Sequence, residues 1–281
     1  MKSRRDFFKV AGTGLLAAGI GNSIMASPVS EQKKKAGTED LFKIGMAGFT
    51  LREFTVDEAF EYLKRINVLN LSVKDMHLAM NSTQEQVNEF LAKAKAAGIN
   101  IYTLGVIYMK DEATVNLAFD YAKKAGVNMI VCAPSYDLLP QVEKKVIETN
   151  IRVAIHNHGP EDKLYPSPED VYTHVKNMDK RMGLCIDIGH TMRNGVDPSE
   201  ALEKYIDRVF DIHIKDETEA TKDGKTIEIG RGVIDFPKFI RTLRKTKYSG
   251  MCSIEFEKGK TDVIPGVAES IGFFKGVMKS I

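Results

Sequence analysis

The sequence predicts a single closed (β/α)8 barrel. Three observations carry that expectation. From Leu41 onward, short apolar, β-branched segments alternate with helix-like segments, and such alternation implies a parallel sheet. The strand–helix unit occurs eight times, at a period of roughly 25 to 40 residues, which suits a closed barrel better than an open sheet. The first turn lacks the G-x-G-x-x-G pattern of a dinucleotide fold: Gly45 and Gly48 do not form it. A chain of 281 residues buries one large core, and α/β barrels of this size are commonly one domain.

The elements follow in order. Residues 42–48 read as the first strand. Thr55-Val-Asp-Glu58 has capping-box spacing and opens a helix through Ile66. Residues 68–74 are the second strand. Ser82-Thr-Gln-Glu85 caps the next helix, which runs to Ala97 and stops at Gly98. Residues 99–106 form the third strand. A helix over 112–126 leads to the fourth strand, 127–132. A helix over 141–148 precedes the fifth strand, 151–158. Ser167-Pro-Glu-Asp170 starts another helix with proline at its first position. The sixth strand ends in Asp187. A helix over 198–206, a strand over 209–216, a helix over 236–246, a strand over 251–257 and a helix from about Val267 complete the chain.

The last four strands finish in metal-ligand residue types. They end in Ile155-His-Asn-His158, Asp187-Ile-Gly-His190, His213-Ile-Lys-Asp216 and Glu255-Phe-Glu257. A carboxylate at the end of a buried strand is costly unless something pairs with it. In a barrel the C-terminal strand ends share one face, and active sites sit there. His156, His158, Asp187, His190, His213 and Glu255 would thus meet at one mouth. His156 and His158 are two apart and point to the same side of their strand. Each residue alone has an ordinary role: Asp187 as a helix cap, His190 at the surface, Glu255 or Glu257 paired with Lys258 or Arg231. Their coincidence at four successive strand ends points to a divalent metal site. His174 is expected on a helix facing solvent, and His77 in a loop.

Charge and composition exclude other classes. The formal net charge is +2; residues 1–26 hold four basic residues and one acid, so the remaining body carries −1. A body this close to neutral lacks the electrostatic footprint of a nucleic-acid or anionic-membrane binder. Cys132, Cys185 and Cys252 are an odd set inside apolar runs, which argues for buried thiols rather than a disulfide framework.

The N-terminus reads separately. Ser3-Arg-Arg-Asp-Phe-Phe-Lys9 resembles a twin-arginine export signal, followed by a Gly/Ala-rich apolar run over 10–20 and small residues at Ala26-Ser27. The apolar run is too short to span a bilayer. Residues 1–38 are therefore expected to be signal peptide and linker, residues 39–281 the barrel, and the mature protein periplasmic without stable membrane insertion.

On the motifs quoted, together with the Gly230-Arg-Gly232 loop and Ile254-Glu255, residues 40–281 resemble the xylose-isomerase-like TIM-barrel superfamily of sugar phosphate isomerases and epimerases. That superfamily also contains the AP endonuclease family 2 barrels. The resemblance implies one divalent metal held by a Glu, an Asp, a His and a Glu at the ends of strands five to eight. Carried over, the last three are Asp187, His213 and Glu255. The first position falls on His156, with His158 as the other candidate, a departure from the two-glutamate pattern. Similar His-x-His strands occur in inosose-dehydratase-like members. The resemblance further implies substrate contacts from Lys74, His190, Lys215 and Arg231, and a small sugar or cyclic polyol as substrate.

The chemistry implied is metal-dependent proton abstraction next to a carbonyl, as in a sugar isomerase or epimerase. Two imidazoles and two carboxylates suit Mn, Zn, Co or Fe. Glu255, His158 and Glu161 are the foremost candidates for moving the proton. A bound imidazole at strand five cannot also shuttle a proton from its ligating nitrogen. Keto-sugar dehydratase or lyase chemistry is therefore a serious alternative. A DNA-repair endonuclease of the same superfamily would need a three-metal cluster, for which further ligands are lacking. A noncatalytic sugar-binding barrel is the remaining class.

Overall fold

The computed structural model describes residues 40–259 and 263–281. The export signal and linker expected over residues 1–38 lie outside these residues. Eight parallel strands close into a barrel: β1 (Lys43–Ala47), β2 (Asn70–Val73), β3 (Asn100–Met109), β4 (Met129–Pro134), β5 (Arg152–His156), β6 (Met182–Asp187), β7 (Val209–Ile214) and β8 (Met251–Ile254). The order around the barrel is sequential, and β8 closes onto β1 through Lys43↔Met251 to Met46↔Ile254. Along β4 and β6 every residue is buried, as expected of parallel strands covered on both faces.

The helices begin where local chemistry starts them. In α1 (Val56–Arg65) the Thr55 side chain accepts from the Glu58 amide and Glu58 reaches back to the Thr55 amide, as expected from the sequence. In α2 (Gln84–Ala97) the capping pair is Thr83 with Gln86, one residue later than the expected Ser82 and Glu85. Both alternatives have the same spacing, and a glutamine amide oxygen serves as well as a carboxylate. Gly98 and Gly126 end α2 and α3 (Glu112–Ala125) in the left-handed region, at φ 73° and 68°. Ser167 caps α5 (Pro168–Val175) with Pro168 in its first turn. The chain continues through α4 (Leu139–Thr149), α7 (Pro198–Tyr205), α8 (Phe236–Lys245) and α9 (Ile264–Ser280).

Four local departures matter for the site. β3 runs on to Met109 rather than stopping at Val106, which carries Tyr108 to the mouth. β5 stops at His156, so Asn157 and His158 lie beyond the strand. A short helix, α6 (Ile188–Arg193), starts directly after Asp187. A two-residue antiparallel pair joins Asp216–Glu217 to Thr226–Ile227. All three cysteines are buried and unpaired. Among the described residues no helix is long and apolar enough to cross a membrane.

Candidate active site at the C-terminal mouth of the barrel

Strand register assembles the cluster. Asp187 on β6 lies level with His213 on β7, and His213 with Ser253 on β8. Glu255 follows β8, its amide donating to Ile214 O at 2.9 Å. His156 ends β5, level with Cys185 on β6. Asn157 locks the two strand ends together: its Oδ1 accepts from the Asp187 amide at 3.0 Å, and its Nδ2 donates to Asp187 O and Thr191 Oγ1. Asp187 Oδ1 caps α6 by accepting from the His190 amide at 2.8 Å. That leaves Oδ2 aimed at the cluster.

His156, Asp187, His213 and Glu255 each offer one ligand atom, all within 4.8 Å of one another, and all four side chains are buried. His156 Nε2 lies 3.1 Å from His213 Nδ1 and 3.4 Å from Asp187 Oδ2, and His213 Nδ1 lies 3.2 Å from Glu255 Oε2. His156 Nδ1 and His213 Nε2 have no hydrogen-bond partner, and Asp187 Oδ2 is met by the ion-pair contacts of His156 and Lys215. Two imidazoles and two carboxylates converging on one point fit a divalent cation.

Lys215 adds a positive charge to the same spot. Its fully buried Nζ stands 3.0 Å from Asp187 Oδ2, 2.9 Å from Glu255 Oε2 and 3.3 Å from Glu257 Oε2. Expected as a substrate contact, it stands among the carboxylates of the cluster as their counter-cation. Burial opposes its charge, but the three carboxylates raise its pKa well above the ordinary lysine value. Burial likewise opposes charge on Asp187, and Lys215 and His190 outweigh it, holding that carboxyl well below the usual carboxylate range. Burial pushes His156 down, whereas Cys185 and Glu255 outweigh the burial of His213 and raise it.

A chamber of about 150 Å³ lies over the cluster, lined by Lys74, Tyr108, His156, His158, His190, Glu255 and Glu257, among others. His190 and Glu257 also border a wider polar cavity of about 390 Å³, with Arg193, Glu217 and Lys225. His158 Nε2 shares a 2.9 Å hydrogen bond with Tyr108 Oη, and its unpartnered Nδ1 lies 3.9 Å from Asp162 Oδ2. Asp162 is held in turn by the amides of Leu164 and Tyr165. Burial and the neighbouring His156 push His158 down to about 3. Lys74 Nζ donates to Val106 O and stands 5.7 Å from the centre of the Tyr108 ring.

Other expected residues lie elsewhere. Glu161 is exposed and paired with Arg193. Arg231 is more than half exposed and bound to Glu269 on α9 at 2.6 and 2.8 Å. Glu257 pairs with Lys215 rather than with Lys258 or Arg231, the ordinary partners weighed for it in the sequence, and Lys258 pairs with Glu228. His174 is stacked on Tyr136 at 3.9 Å between ring centres instead of facing solvent. His77 is buried, with Nε2 3.1 Å from Leu51 O.

Sequence reasoning missed Tyr108, Asn157 and Asp162. Asn157 stood inside the quoted His-Asn-His motif, which was a usable signal. Asp216, the last residue of His213-Ile-Lys-Asp216, is buried and accepts from the amides of Gly230, Gly232 and Ile234, clamping the Gly-Arg-Gly loop. A Cβ on Gly232 would sit 2.3 Å from Asp216 Oδ1, so the clamp requires glycine there.

Comparisons with known proteins agree with this architecture. Inosose dehydratase of Histophilus somni is 29% identical over 136 residues, covering 42% of this chain and 45% of that one. The chain thus matches less than half the length of this curated relative. A D-tagatose 3-epimerase-like protein superposes with a TM-score of 0.69 at 16% identity, covering 85% of this chain and 97% of the other. An IOLI protein crystallised with a zinc atom superposes with a TM-score of 0.66 at 18% identity, covering 84% and 96%. The profile of the xylose isomerase-like TIM barrel family matches residues 70–277, well over half of the sequence, and the chain belongs to that family.

Proposed function

We propose that the protein is a metal-dependent enzyme that abstracts a proton next to the carbonyl of a keto-sugar or cyclic keto-polyol. The observation that carries this reading is the shared chamber, in which Glu255 and the His158–Tyr108 pair face one space above the cluster. His156, Asp187, His213 and Glu255 would hold one divalent ion. Such an ion would supply Lewis-acid polarisation of the substrate carbonyl.

The chain's own groups do the rest. Every hydrogen bond and ion pair of Glu255 falls on Oε2, which leaves Oε1 to take the proton from carbon. Lys74 and His190 stand where they can donate to ring hydroxyls. The His158–Tyr108 pair supplies the second proton-transfer group. Return of the proton to carbon gives isomerisation or epimerisation. Delivery of a proton to a departing hydroxyl gives dehydration. The imidazole at the end of β5 favours keeping the dehydratase reading, because it removes the second carboxylate that a symmetric epimerase would use. The inosose dehydratase relatives support the same alternative.

The test is hydrogen–deuterium exchange followed by NMR, with the metal-loaded protein and a panel of keto-sugars and keto-inositols in heavy water. Exchange at the carbon beside the carbonyl is expected for at least one of them. Binding without exchange or turnover across the panel would identify a noncatalytic sugar-binding barrel.

A further inference from the structure

A larger space adjoins the chamber over the cluster. The cavity of about 390 Å³ shares His190 and Glu257 with the chamber and is more than twice its 150 Å³. One sugar ring over the cluster leaves this cavity unfilled. Its walls come from three places: Arg193 on α6, Glu217 and Lys225 on the antiparallel pair and its loop, and Lys258 beyond β8. Apart from Gly224, every residue lining it has a polar side chain.

The walls are held in place without a ligand. Arg193 is paired with Glu161 and donates to Lys222 O at 2.7 Å. The loop approaches α6 so closely that a Cβ on Gly224 would stand 3.1 Å from Arg193 Cγ. Glu217 is only 2% exposed. Its Oε1 accepts from Thr226 Oγ1 at 3.3 Å, and among the described residues its Oε2 has no hydrogen-bond partner. A hydroxyl entering the cavity would give that oxygen a donor.

The mixture of charges selects the kind of group that fits. A phosphate would face the carboxylates of Glu217 and Glu257. A cationic group would face Arg193, Lys225 and Lys258. Hydroxyls both donate and accept, so an uncharged polyhydroxylated group uses both sets. Burial raises the Glu217 carboxyl to about 7, so near neutrality it also has a proton to donate. We infer that the cavity is a second sugar subsite, and that the substrate is a keto-sugar joined to another uncharged sugar unit, a keto-disaccharide. The inference rests on the reading of the chamber as the site of the keto ring. His190 and Glu257, which border both spaces, then flank the link between the two rings.

The experiment uses the metal-loaded full chain and compares 3-ketocellobiose with methyl 3-keto-β-D-glucoside. Both carry the same keto ring and differ in whether a sugar or a methyl group follows it. Proton exchange or conversion is followed by NMR in heavy water as substrate concentration rises. The disaccharide is expected to half-saturate the enzyme at a concentration at least about tenfold lower, the effect of one or two added hydrogen bonds. A 6-phosphate on the methyl glycoside should bring no such gain. Thr226→Trp fills the cavity and should abolish the disaccharide advantage while leaving the methyl glycoside value and metal content unchanged. Equal values in the wild type, a greater gain from the phosphate than from the second sugar, or an advantage that survives in a folded Thr226→Trp protein overturn the inference. The wild-type comparison decides even if that variant fails to fold. Reaction with neither glycoside, with proton exchange on keto-inositols intact, overturns the second subsite and leaves the chamber reading standing. No exchange on any of these compounds overturns both.

Discussion

Tyr108 Oη and His158 Nε2 are 2.9 Å apart, and their hydrogen bond ties the end of β3 to the segment just beyond β5. Because Nε2 is engaged by the phenol and Nδ1 turns toward Asp162, the two side chains act as one unit toward the chamber. Tyr108→Phe should lower proton exchange beside the substrate carbonyl by about a hundredfold, within the range of a lost acid–base group. His158→Ala should do the same, and the double variant should be no worse than either single one. Metal content by elemental analysis should stay unchanged in all three. Additive losses would show two independent groups. Glu161→Ala removes only an exposed pair with Arg193 and should change exchange by less than about twofold and stability by less than about 0.5 kcal/mol.

The carboxylate cluster gives a second expectation. Asp187→Ala or Glu255→Gln should lower metal occupancy markedly; full occupancy in either variant would remove these residues from the ligand set. Lys215→Met should destabilise the chelator-treated protein by about 3–5 kcal/mol, the usual effect of leaving buried charges unpaired. Added divalent cation should restore part of that loss by mass action. Urea unfolding with and without chelator measures both.

Glu217 carries a pH dependence. Burial raises its carboxyl from 4.5 to about 7, with Lys215 opposing the rise. A carboxyl that holds its proton more tightly in the folded chain costs stability once it ionises. Its contribution should therefore be most favourable below the unfolded pKa of 4.5 and fall as pH rises toward about 7. Glu217→Gln should flatten that part of the stability profile. Denaturation midpoints at pH 5 and pH 8 give the comparison, and an unchanged slope in the variant would assign it to another group.

The barrel was legible because its cause is local and repeated. Strand period, helix caps and glycine stops each act over a few residues, and Thr55, Ser167, Gly98 and Gly126 do in the structure what their spacing implied. His156, Asp187, His213 and Glu255 were legible as a set because ligand types recurred at four strand ends. Lys215 was harder. A lysine two residues past His213 gives no sign of whether it reaches solvent or folds back onto carboxylates from β6 and β8, since that depends on barrel closure. Tyr108 falls just past the third strand that the sequence predicts, which ends at Val106, whereas β3 runs on to Met109 and carries the tyrosine to the mouth.

We propose that residues 1–38 direct export by the twin-arginine route, on the evidence of Arg4-Arg5 before an apolar run. Replacing both arginines by lysine should retain the protein in the cytoplasm with its folded body unchanged. Fractionation of a bacterial host, followed by a thermal melt of the retained protein, checks both halves of that expectation.

The ammonium of Lys215 has a consequence for the life history of the protein. A cluster of acids that already contains its own cation need not wait for a metal before the chain collapses around it. On the proposed reading, folding and activation are then separate events, free to occur at different times and in different places. Metal scarcity would lower the fraction of working molecules without sending the remainder to proteolysis, and a starved population would stand ready to be switched on when the ion arrives.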